Sequence, residues 1–102
     1  MDKSPVGLFG LQCEMGYSRQ DFLRLLPGGL SGYSYFVDDD LINITLSCGS
    51  VLIRLGREYE RNLTKLVRFP ALPFYVEFLG VDATEQALFM KKFDLSYMKG
   101  LG

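Results

Sequence analysis

A chain of 102 residues with 48% hydrophobic and 23% charged side chains has the size and composition of one globular domain. Its net charge of −1 gives no overall attraction to nucleic acid or to an anionic membrane. The absence of histidine removes Ser-His and Cys-His nucleophile pairs, His-ligated zinc and the near-neutral proton shuttle.

Charge is divided unevenly. Residues 1–50 carry three basic and six acidic side chains, and residues 51–102 carry eight and six. Eight Phe and six Tyr supply a dense core for a short chain, so no metal or disulfide staple is needed. The two cysteines, Cys13 and Cys48, form neither a disulfide framework nor a metal motif. Met1–Pro5 open no secretory signal, because no long apolar stretch follows, and no apolar run approaches a membrane span. The expectation is a cytoplasmic protein with reduced thiols. Without a secretion signal, the sequons at Asn43 and Asn62 are chance matches.

Along residues 6–15, Phe9, Leu11, Cys13 and Met15 alternate with smaller or polar residues, which predicts a strand with one buried face. Ser18 and Asp21 resemble a capping box opening a helix with Phe22, Leu25 and Leu26 inward; Pro27-Gly28-Gly29 should end it. Tyr33–Val37 and Leu41–Ser47 alternate as strands about an Asp38-Asp39-Asp40 turn. Cys48-Gly49 reads as a tight hairpin in which glycine supplies positive φ, and Val51, Ile53 and Leu55 continue the buried side.

Residues 57–68 admit two readings. Tyr59, Leu63, Leu66 and Val67 form a helical stripe, whereas the brief link after Leu55 and the preceding meander favour another strand. The strand is the reading taken. Phe69–Pro73 reads as a proline-stiffened turn, and Phe74–Leu79 as the last strand. Asp82 with Glu85 makes a second capping box. Phe89, Met90, Phe93 and Tyr97 then line one side of a helix, Lys91 and Lys92 point outward, Lys99 suits the C-terminal dipole and Gly100 ends it.

The expected architecture is a single α+β domain over residues 1–102: an antiparallel sheet of about five strands with two helices on one face, in the order β-α-β4/5-α. That order resembles the half-repeat of TATA-binding proteins and, more loosely, the helix-grip folds that hold ligands between a curved sheet and a long helix.

Candidate sites are few. The Asp38–Asp40 run lacks the alternate ligand spacing and terminal Glu of a calcium loop and reads as a solvated turn. Cys48 reads as an exposed turn thiol and Cys13 as a small core residue. Glu14 and Glu77 fall on the outer sheet face, and no pair of carboxylates has a catalytic spacing. Arg54, Arg57, Arg61, Lys65 and Arg68 form the densest basic group, with Glu58 and Glu60 interrupting it. The acidic total and the lack of an RNA-binding signature argue against nucleic acid, leaving a weak single-strand binder as one alternative. Leu41, Leu52, Tyr75 and Leu79 should face away from the helices, and one sheet face can stay wet.

The leading expectation is therefore a non-enzymatic interaction module using that open face. Leu41, Leu52, Arg54, Arg57, Arg61 and Tyr75 are its candidate residues, and a homodimer or another protein is its partner. The alternative is a small apolar ligand held between the C-terminal helix and the sheet. No catalytic residue, cofactor, metal or membrane partner is expected.

Overall fold

Alternating apolar residues and two capped amphipathic segments build the elements of a computed structural model, which describes residues 8–101. The strands are β1 (Leu8–Met15), β2 (Ser34–Asp38), β3 (Leu41–Thr45), β4 (Ser50–Leu55), β5 (Tyr59–Asn62) and β6 (Arg68–Leu79). Helix α1 (Arg19–Gly29) follows β1, and α2 (Ala83–Leu101) follows β6. The sheet is antiparallel throughout, ordered β1-β6-β4-β3-β2, with β5 paired to the first part of β6. The chain is thus a single α+β domain, as expected, with six strands.

Both caps form. The Asp21 amide donates to Ser18 Oγ at 3.1 Å, and the Glu85 amide donates to Asp82 Oδ1 at 2.9 Å, each satisfying an orphan first-turn donor. Pro27 does not stop α1, which continues through Gly28 to Gly29. The Leu30 amide donates to Leu26 O at 3.0 Å, so the last turn closes around the proline. Helix α2 likewise runs past Gly100 to Leu101; the side chains of Phe9 and Lys99 lie outside the described residues.

One core lies between the helices and the inner sheet face. Phe22 and Leu26 of α1 and Phe89, Phe93 and Tyr97 of α2 pack on Ile42, Ile44, Val51, Ile53, Phe74, Val76 and Phe78. Phe22 stacks on Tyr97 with centroids 4.9 Å apart, and Phe93 lies within 5.0 Å of Tyr97 and 5.8 Å of Phe89. Two buried hydroxyls fasten α2: Tyr17 Oη, in the link before α1, donates to Tyr97 O at 2.5 Å, and Tyr97 Oη donates to Phe22 O of α1 at 2.7 Å. The Phe89–Tyr97 stripe is therefore plain core along most of its length.

Three further sequence expectations need correction. Phe69–Pro73 is not a turn but part of the long strand β6. The prolines are tolerated because of where they fall. The Gly56 amide donates to Pro73 O at 2.8 Å, so Pro73 presents its edge where β4 gives way to β5 and Arg57 and Glu58 together stand opposite Leu72, a register shift of one residue. That interruption is a bulge, where proline costs no ladder bond. Pro70 faces the opposite edge, beyond the end of β1 at Leu72, where no strand pairs with it.

Gly49 is also not in the positive-φ region; among the described glycines only Gly32 and Gly80 are. Glycine is required there for space, since a Cβ would stand 2.3 Å from the Leu79 carbonyl oxygen. Finally, the inner face of β1 is only half covered. Leu11 is 43% exposed, and Cys13 and Met15 are half-buried, because β1 is an edge strand at the margin of the helical layer.

Residues 57–68 resolve as strand, turn and strand. β5 and the beginning of β6 form a two-stranded arm, and all four residues of β5 are exposed. With that arm the radius of gyration is 14.6 Å, against about 13 Å for a spherical domain of this length.

Candidate interaction surface

Side chains alternate across a strand, so the inward set defines the outward set. With Ile42, Ile44, Val51, Ile53, Phe74, Val76 and Phe78 buried under the helices, the outer face carries Phe36 of β2, Leu41 and Asn43 of β3, Leu52 and Arg54 of β4, and Tyr75, Glu77 and Leu79 of β6. The register makes the apolar members one patch. Leu52 stands opposite Asn43 on one side and Glu77 on the other, which makes Leu41, Tyr75 and Leu79 its diagonal neighbours. Phe36, opposite Asn43, is in turn diagonal to Leu41. Leu41, Leu52 and Tyr75 are half-buried by this mutual contact; Phe36 and Leu79 remain 62% and 54% exposed.

Gly10 completes the surface. A Cβ there would fall 1.8 Å from Tyr75 Oη, so the phenol lies flat across the glycine instead of standing into solvent. One ion pair crosses the patch, Arg54 to Glu77 at 3.4 Å.

The expected site residues do not all gather here. Leu41, Leu52, Arg54 and Tyr75 share the outer face, as alternation required. Arg57 sits exposed at the bulge, and Arg61 lies on the arm, where it bonds Glu14 Oε2 at 2.9 Å. Tyr59 Oη donates to Glu14 Oε1 at 2.7 Å, and this hydrogen bond is the main influence pushing the phenol above its ordinary pKa. Glu14 therefore anchors the arm to β1. The basic group is dispersed rather than continuous: Arg54, Arg61 and Arg68 each pair with a carboxylate. Phe36 was absent from the sequence-based site, although the alternation of Tyr33, Tyr35 and Val37 already places it on the opposite face.

The half-covered face of β1 leaves an open groove of about 420 Å³ against α2, lined by Cys13, Met15, Tyr17, Met90, Asp94 and Met98 among others. Partial burial raises the Asp94 carboxyl above its ordinary value. Burial, with the Asp94 charge beside it, raises the Cys13 thiol. Cys48 is exposed at the β3–β4 turn, and Asp39 and Asp40 of the Asp turn pair with Arg19 at 3.7 and 3.0 Å. Among the described residues no cluster of His, Cys, Asp or Glu could hold a metal, and no helix is long and apolar enough to cross a membrane. No family model, no curated protein and no solved structure matches the chain, so the resemblance to TATA-binding half-repeats and helix-grip folds stands on element order alone.

Proposed function

We propose that this chain is a non-enzymatic interaction module that binds a second copy of itself through the outer sheet face. The observation that carries this reading is the contiguous apolar patch centred on Leu52, left uncovered because both helices occupy the other face. Sheets pack face to face about 10 Å apart with interdigitating side chains, which suits a surface of this kind. The charges on the patch do not oppose such a contact, because Arg54 and Glu77 are paired with each other within one copy. The free thiols Cys13 and Cys48 fit the reducing cytoplasm. Sedimentation of the purified protein tests the proposal: a dimer is expected, with Leu52→Asp or Tyr75→Asp converting it to a folded monomer. A parent protein that sediments as a monomer at high concentration refutes it.

The groove beside α2 favours a second reading, a binder of a small apolar ligand, since 420 Å³ is within the range of ligand pockets. An apolar compound that seats there raises the melting temperature, and Met90→Glu removes the rise.

A further inference from the structure

The arm formed by β5 and the start of β6 ends in a turn whose composition differs from the rest of the surface. Leu63, Leu66 and Val67 are 65%, 93% and 47% exposed at its apex. The arm, residues 59–71, carries Arg61, Lys65 and Arg68 against Glu60 alone, a local charge of +2 on a chain whose total is −1. Leucine at the apex of a projection has no neighbour of its own chain to shield it. The usual excuse for an exposed apolar residue, partial cover by a flat surface, does not apply there.

The amides of this turn are largely paired within it. The Leu63 amide donates to Val67 O at 2.9 Å, and the Thr64 amide reaches the same oxygen at 3.4 Å. The Leu66 and Val67 amides donate to Thr64 Oγ1 at 3.1 and 3.0 Å. Four of the five amides of residues 63–67 therefore have partners within the turn. In an apolar medium each unpaired backbone group costs several kcal/mol, so this pairing lowers the cost for the donors, while the turn carbonyls other than Val67 O keep to the water of the headgroup layer.

We infer that the tip of the arm, Leu63–Val67, is a peripheral membrane anchor that inserts into a bilayer bearing anionic lipids. Leu66, Leu63 and Val67 enter the acyl boundary, while Lys65 meets the headgroups, with Arg61 and Arg68 behind it already partnered by Glu14 and Glu60. Interfacial binding has this composition, apolar area for depth and Lys or Arg for attraction to anionic headgroups. The balanced net charge of the chain does not oppose it. Of the acidic side chains nearest the arm, Glu60 pairs with Arg68 and Glu14 with Arg61. Glu58 accepts from the Arg19 amide, and Asp39 and Asp40 pair with Arg19, all at the arm's base. The base is four ladder pairs from the turn, on the order of 13 Å at strand rise and beyond the Debye length of about 8 Å at physiological ionic strength.

Co-sedimentation of the full chain with vesicles tests this. Binding is expected to phosphatidylcholine vesicles containing phosphatidylserine and to weaken strongly on phosphatidylcholine alone. Leu66→Glu should reduce partitioning at least tenfold, and Lys65→Gln about fivefold, the contribution of one basic side chain near an anionic surface. Both side chains are exposed, so circular dichroism and melting should match the parent. Failure to bind the anionic vesicles overturns the inference. So does equal binding to neutral ones, binding unchanged in Leu66→Glu, or a tip that captures a protein but no vesicle.

Discussion

Leu52 and Ile53 are adjacent in β4 and point to opposite faces, so truncating each in turn measures which face the core occupies. Ile53 is fully buried between Ile42 and Val76, themselves inaccessible, with the helices closing over them. Ile53→Ala should lose the transfer energy of the removed carbons and leave a cavity that the close-packed layer cannot collapse, about 3–4 kcal/mol. For a domain of about 100 residues that lowers the melting temperature by roughly 12–30 °C. Leu52→Ala removes a similar group from a half-buried position open to solvent, where no cavity is sealed, so about 1 kcal/mol is expected. Urea unfolding followed by circular dichroism, at low micromolar concentration, checks both. At high concentration the parent should melt at a temperature that rises with concentration, and Leu52→Ala should lose that dependence. Equal costs for the two truncations at low concentration would refute the assignment of faces, and with it the basis for the interaction surface.

The aromatic hub has a pH signature. Burial is the main cause holding the Tyr97 phenol far above its ordinary value, with Tyr17 and Tyr35 adding to it, so Tyr97 ionises far more readily unfolded than folded. Stability should be fully present below about pH 10 and fall as pH rises beyond it. Tyr97→Phe should flatten that decline in an alkaline melting series while costing about 1 kcal/mol at pH 7 for the lost bond to Phe22 O. Because burial and then Asp94 raise the Cys13 thiol, a thiol reagent at pH 8 should modify exposed Cys48 first and Cys13 slowly, and Asp94→Asn should speed the slow phase. Glu14→Gln should loosen the arm by weakening its bonds to Tyr59 and Arg61, read as faster amide exchange across β5 with little change in global stability.

Much of the fold is legible along the chain because it depends on local regularities. Alternation at Leu41–Leu46 and Val51–Leu55 names the buried side chains, and Ser18 and Asp82 mark helix starts, since a cap is made by residues three apart. The missing histidines set aside His-dependent chemistry alone. The prolines misled because their effect depends on neighbours: Pro70 and Pro73 look like a turn, yet Pro70 lies past the end of β1 and Pro73 at a bulge opposite Gly56. Pairing with strands distant in sequence decides that.

The surfaces divide in the same way. The chain by itself determined that Leu41, Leu52 and Tyr75 each point away from the buried set of their own strand, because a two-residue period puts them there, and strand pairing gathers them on one face. Only the tertiary structure decided that this face stays uncovered, that β1 leaves a groove beside α2, and that residues 59–71 project as an arm with an apolar tip. Those features follow from which elements pack against which, and packing is settled by the burial of the whole core rather than by any one segment.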